Sequence, residues 1–144
     1  MREVLTLSKE NFGRYGRIIE FSPGSEMWEI LVREEKIGWR IALLEIDRRE
    51  IKWLERHPDS METFEPVSGI ALLFVADKDP LDFEVFVLDR PVCLYKGIWH
   101  EVASLTQKAK FKITENYDVE CEYFDLEKPF VFKIIEGKGE VWNI

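Results

Sequence analysis

The sequence predicts an all-β fold, a β-sandwich or jelly-roll barrel with one short helix near the N-terminus. Three observations carry that expectation. Long stretches alternate apolar and polar residues with the period of a strand. Other segments are apolar on both faces. Turn-forming clusters separate these segments at short intervals, and only one stretch carries the punctuation of a helix.

That helix lies near the start. Ser8 is placed to cap it, Glu10 sits in its first turn, and Gly13 and Gly16 limit it. Strand character follows. Trp39 to Leu44, Ile70 to Val75 and Phe83 to Leu88 are apolar on both faces, so they require cover on both sides, from a second layer or from another copy of the chain. Ala109, Phe111 and Ile113 alternate with Lys110, Lys112 and Thr114. Val119, Cys121 and Tyr123 alternate with Glu120, Glu122 and Phe124. Both patterns are those of half-buried strands. Turns are expected at Ser22-Pro23-Gly24, at Asp77-Lys78-Asp79-Pro80 and at Gly137-Lys138-Gly139. No repeat, low-complexity tract or linker interrupts the chain, so residues 1–144 read as one domain.

Composition narrows the functional classes. At 46% hydrophobic and 33% charged, the chain is globular in character. Its net charge of -8 is a poor match for nucleic acid or an anionic membrane. No apolar run approaches the roughly 18 residues that would cross a bilayer. Met1-Arg2-Glu3-Val4 lacks the apolar region of a secretion signal, so a cytoplasmic location is expected. Cys93 and Cys121, the two cysteines, are then expected to be reduced and buried. Few amides beside many Glu, Lys and Arg point to a thermophilic source. Trp28, Trp39, Trp53, Trp99 and Trp142 read as packing residues, and Arg48-Arg49 as a surface turn.

The chain has two histidines, and each sits in a patterned segment. Glu55 and His57 flank one residue, four residues separate His57 from Glu62, and six separate Glu62 from Gly69. Gly97 precedes His100 with two residues between. These spacings resemble the two halves of the cupin signature. Glu55 stands in place of the first histidine, Tyr95 in place of the usual proline and Ser104 in place of the usual asparagine. The resemblance implies a cupin jelly-roll barrel with the site inside it. Imidazole and carboxylate together suit a divalent transition metal such as Ni, Zn, Mn or Fe. Strand alternation puts Glu55 and His57 on one face, Glu62 with Phe64, and Lys96, Ile98 and His100 together if Gly97 leaves the strand intact. Trp99 and Glu101 then face away. The expected metal ligands are Glu55, His57, Glu62 and His100. Lys96 is the expected partner of a substrate carboxylate.

The chain also resembles one cupin family in particular, the ureidoglycolate lyases. The likeness runs from Leu5-Thr6-Leu7-Ser8 through Asn11-Phe12, Tyr15-Gly16 and Ile18-Ile19-Glu20. It is strongest at Leu54-Glu55-Arg56-His57-Pro58, continues through Phe64, Pro66 and Gly69, and returns at Gly97-Ile98-Trp99-His100 and Tyr117-Asp118-Val119-Glu120. The resemblance implies a homodimer that cleaves ureidoglycolate, a small molecule, to glyoxylate and urea, with catalytic roles for His100, Lys96 and Tyr95. The chain departs from the family at Leu94, Tyr95, Lys96 and Glu101, where Tyr, His, Arg and a second histidine are usual, and at Glu62, where glutamine is usual. Two other classes remain open on the residues: a metal-dependent cupin isomerase or epimerase acting on a sugar acid, and a cupin that binds a small ligand without catalysis.

Overall fold

Alternation along the chain resolves into two facing sheets in the computed structural model, which describes residues 2–135 and 140–142. In chain order the elements are β1 (Val4–Thr6), α1 (Lys9–Phe12), β2 (Gly16–Ile18), β3 (Trp39–Ile46), β4 (Glu50–Arg56), β5 (Glu62–Ser68), β6 (Ala71–Ala76), β7 (Glu84–Leu88), β8 (Val92–Leu94), β9 (Trp99–Ser104), β10 (Ala109–Asn116), β11 (Glu122–Val131), β12 (Lys133–Ile135) and β13 (Glu140–Trp142). One sheet has the order β1-β7-β6-β9-β4-β11 and the other β2-β8-β5-β10-β3, while β12 and β13 form a separate ribbon. All pairings are antiparallel except β1 with β7. This is the cupin jelly roll that the sequence predicts. The short helix forms where expected, with Ser8 and Asn11 in a reciprocal capping box and Gly13 as C-cap. Among the described residues, no helix is long and apolar enough to cross a membrane.

Two apolar layers hold the sandwich. The inner one lies between the sheets and includes Phe64, Leu73, Val75, Phe86, Ile98, Phe111 and Ile113. The second lies on the outer face of the six-stranded sheet. There Leu72, Phe74, Phe83, Val85 and Trp99 are covered by Phe124, Leu126, Phe130 and Phe132 from the C-terminal part of the chain. At about 1.5–3 kcal/mol per fully buried large side chain, this second layer stabilises the fold substantially. It also accounts for the two strands that read as apolar on both faces, β6 and β7.

Several expectations need correction. The first strand that reads as apolar on both faces, β3, has no such cover: Trp39, Ile41 and Leu43 are 67%, 53% and 70% exposed. It is the edge of its sheet, and among the described residues nothing covers that face. The alternation around Cys121 is reversed in sense. Phe124 and Leu126 turn onto the outer apolar layer, while Tyr123 is exposed. Cys121 is exposed too, and only Cys93 is buried. Of the tryptophans, Trp99 is buried, whereas Trp28 and Trp39 are exposed and Trp53 partly so. Arg48 is more than a surface turn residue, since it pairs with the buried Glu101 and donates to the Val102 carbonyl at 3.0 Å. The turn at Gly137-Lys138-Gly139 and the side chain of Trp142 lie outside the described residues.

Gly69 shows why a glycine is needed in the first motif. It turns the chain from β5 to β6 at φ +73°, and a Cβ there would lie 2.1 Å from the Lys108 carbonyl oxygen. Both the conformation and the space select glycine.

Candidate active site

Strand register places the candidate residues. On the six-stranded sheet, Tyr123, Glu55, His100 and Val75 are successive cross-strand partners on β11, β4, β9 and β6. On the facing sheet, Arg40, Glu115, Glu62 and Leu94 form a matching row on β3, β10, β5 and β8. Both rows face inward at the same end of the sandwich, with Val75 and Leu94 belonging to the inner apolar layer. The site therefore lies where the core gives way to a mouth between the two edge strands β3 and β11. His57 follows β4, and its carbonyl accepts the Gly97 N–H at 2.9 Å, which ties the two motif segments together directly.

Glu62 is the centre of the cluster. Its Oε2 lies 3.0 Å from His57 Nε2 and 2.7 Å from His100 Nε2, and all three side chains are buried. Glu55 Oε1 is 3.7 Å from His100 Nε2 on the more exposed side. The His57 and His100 rings are 5.2 Å apart, and His100 packs edge-on to Phe64 at 5.6 Å.

The tautomers follow from the partners. His57 Nδ1 donates to the Glu120 carbonyl at 3.1 Å, and His100 Nδ1 to the Ile98 carbonyl at 2.9 Å. A carbonyl only accepts, so each Nδ1 carries a proton. A neutral ring then aims an Nε2 lone pair at Glu62. With both rings neutral and the carboxylate ionised, His57 Nε2, His100 Nε2 and Glu62 Oε2 are buried atoms without a hydrogen-bond partner. Two arrangements satisfy them. Protonated imidazoles can both donate to the carboxylate, or a cation can take all three lone pairs. Burial pushes the Glu62 carboxyl up, but the His100 charge and hydrogen bonds from both rings outweigh it and hold the value at about 2. Burial pushes the His100 imidazole down, but Glu62 and Glu55 outweigh it and hold it well above its ordinary value. His57 is likewise raised: burial opposes, and Glu62 prevails.

The donor set fits a divalent transition metal. His57, Glu62 and His100 bring one ligand atom each within 4.8 Å of one another. Their Nδ1–H groups are held by backbone carbonyls, the outer-shell arrangement that orients metal-binding histidines. Glu55 stands beside this trio.

The other sequence-predicted residues lie apart. Gly97 has φ +81° and forms a turn before β9, so the alternation expected from Lys96 to His100 breaks there. Lys96 pairs instead with Glu34 at 3.0 Å. Tyr95 is partly exposed and lines a surface cavity with Phe12, Arg17 and Phe21. Among the described residues, no hydrogen bond or ion pair joins Lys96 or Tyr95 to the histidines. Ile98 and His100 do share the inward face, and Trp99 and Glu101 the outward one. Arg40 was not legible from the motifs. It donates to Glu115 Oε1 through Nε at 3.0 Å and Nη2 at 2.8 Å, and it lies close enough to Cys121 and Glu62 to feel their charge. Only the cross-strand register brings it to the mouth.

A family model described as ureidoglycolate lyase matches residues 35–133. Ureidoglycolate lyases from two strains of Rhizobium etli are each 26% identical over 157 residues, covering 91% of this chain and 95% of theirs. Among solved structures, procruciferin, an 11S globulin from Brassica napus, superposes with a TM-score of 0.50 at 7% identity over 60% of this chain. The superposed region is 22% of that protein's length, and the likeness is one of fold.

Proposed function

The chain belongs to the ureidoglycolate lyase family, and from that premise we propose that it cleaves the C–N bond of ureidoglycolate or a closely related small hydroxy acid. The observation that carries this reading is the convergence of His57 Nε2, His100 Nε2 and Glu62 Oε2 on one buried point behind a mouth that holds a cation, Arg40.

The reaction moves one proton and breaks one bond. The hydroxyl of the substrate loses its proton, the carbonyl forms as the C–N bond breaks, and the departing nitrogen gains a proton. The products are glyoxylate and urea, and no water is consumed. Glu62 raises both imidazoles, which favours their protonated, donating form, so they are assigned as donors to substrate oxygens and not as the base. Glu55, partly exposed and 3.7 Å from His100 Nε2, is the proton carrier that takes the hydroxyl proton and returns it to nitrogen. Arg40 holds the substrate carboxylate, a task for which its planar guanidinium is well shaped. Lys96, drawn to Glu34, is left as a second-rank partner for that carboxylate. A divalent metal held by His57, Glu62 and His100 would supply Lewis-acid polarisation of the substrate oxygens. Such a positive centre also answers a charge problem. Glu55, Glu62 and Glu115 outnumber Arg40, so an anionic substrate enters favourably only if the imidazoles are charged or a cation is held.

The test is direct. The purified chain, alone and after addition of Mn, Ni, Zn or Fe, is given ureidoglycolate, and glyoxylate and urea are measured together. Equal release of both supports the reading. Release no faster than the uncatalysed reaction in every case refutes it.

A further inference from the structure

His57 has a second side. While its Nε2 faces Glu62, its Nδ1 faces the mouth, 3.5 Å from Cys121 Sγ. Glu55, His57 and Cys121 bring one ligand atom each within 4.8 Å of one another, a set separate from the His57–Glu62–His100 trio except for the shared ring. We propose that Cys121 Sγ, His57 Nδ1 and a Glu55 carboxylate oxygen form an outer site for a thiophilic divalent ion, Zn²⁺ or Cd²⁺, and that filling it withdraws the His57 Nε2 lone pair as a ligand of the inner cluster.

The spacing suits such an ion. With Zn–S near 2.3 Å and Zn–N near 2.0 Å, a tetrahedral centre separates sulfur from nitrogen by about 3.5 Å. The sulfur and nitrogen here already stand at that separation. Three protein ligands, one each of S, N and O, leave a fourth position to water. Cys121 is exposed and Glu55 partly so, which gives the ion an entry path from solvent. The surrounding carboxylates of a chain with net charge -8 favour a cation at the mouth.

The exclusion follows from the ring. A neutral imidazole has one proton. Use of the inner cluster needs it on Nδ1, where the Glu120 carbonyl accepts it. Use of the outer site needs Nδ1 free, so the proton moves to Nε2, where Glu62 Oε2 at 3.0 Å accepts it. The thiol proton is released to solvent as the metal–sulfur bond forms. The Glu120 carbonyl, at the edge of the mouth, turns to water.

The experiment titrates Cd²⁺ into the full-length, metal-free chain and follows thiolate-to-cadmium charge-transfer absorption in the ultraviolet. One equivalent is expected to saturate it. Cys121→Ser should abolish it, while Cys93→Ser should leave it unchanged. Glu55→Gln should weaken binding at least tenfold, and Glu62→Gln and His100→Ala should retain it. In ¹⁵N-edited NMR, Cd²⁺ should leave the His57 ring without a proton on Nδ1 and with one on Nε2. Absence of the absorption, equal binding by Glu55→Gln and the unsubstituted chain, or a His57 proton that stays on Nδ1 would each overturn the proposal. None of these readouts depends on lyase activity, so the outer site stands or falls separately from the proposed reaction.

Discussion

Replacing Glu62 by Gln isolates the interaction that holds the cluster together. The carboxyl lies at about 2 against an ordinary 4.5. At 1.36 kcal/mol per pH unit, that gap of 4.5 − 2 = 2.5 corresponds to about 3 kcal/mol. The raised values of His57 and His100 describe the same attraction from the other partner, so it is counted once. The carboxylate lies below its unfolded value, and its contribution is full above about 4.5 and lost as the pH falls toward about 2. The imidazoles lie above their unfolded value of 6.5, and their contribution is full below 6.5 and lost as the pH rises through their folded values. The ion-paired cluster is therefore most stabilising between about pH 4.5 and about pH 6.5. In metal-free protein, urea unfolding near pH 6 should show Glu62→Gln less stable by about 3 kcal/mol, or roughly 6–12 °C in Tm for a chain of this size. The difference should shrink as the pH rises above 6.5 and through the raised folded values of the two rings, which then lose their charge. A loss that stays the same across that range, or one under about 1 kcal/mol near pH 6, would refute the ion-paired description.

Other outcomes follow from single positions. Glu101→Ala should leave metal binding intact, because Glu101 faces Arg48 on the outer side of the sheet, yet cost about 1–3 kcal/mol by leaving Arg48 without its buried partner. Thermal unfolding and elemental analysis report the two halves of that statement. Gly69→Ala should cost more than about 3 kcal/mol, from backbone strain and collision with Lys108 together. Gly97→Ala, with the same hand of φ but open space around the new Cβ, should cost only about 1 kcal/mol. Arg40→Ala should raise KM for ureidoglycolate at least tenfold with a smaller effect on kcat, in steady-state assays. The bare outer face of β3 is expected to be the seam of a homodimer, so Leu43→Glu should turn a dimer into a monomer in light scattering. A clean monomer of the unsubstituted chain at micromolar concentration would dispose of that expectation.

Local patterns made most of the cluster legible. The Glu55-to-Gly69 and Gly97-to-His100 spacings sit within short strands and their turns, where parity fixes which way a side chain points. Lys96 shows the limit of that rule. One positive-φ glycine intervenes, and parity does not survive the turn. Cys121 and Tyr123 show another. Past Glu122 the other alternation also turns apolar, with Phe124 and Leu126, and the apolar outer layer of Leu72 and Phe74 takes that set instead. Arg40 is a third case. It reaches the site through three strands paired by non-local register, and no sequence window contains both Arg40 and its partners Glu115 and Glu62.

The split between central and edge strands has a consequence for how such a protein can change over time. The two imidazoles and Glu62 are buried between the sheets, and the aim of the rings is set by main-chain carbonyls that any sequence supplies. Arg40, Cys121 and Tyr123 sit on or beside unpaired edges, partly in water, where substitutions usually shift stability by only about 0.5 kcal/mol. On the proposed function, selectivity is thus mutable at little cost to folding, while the buried His57–Glu62–His100 cluster is not. Drift of substrate preference within a lineage should collect at the mouth and spare the three buried side chains.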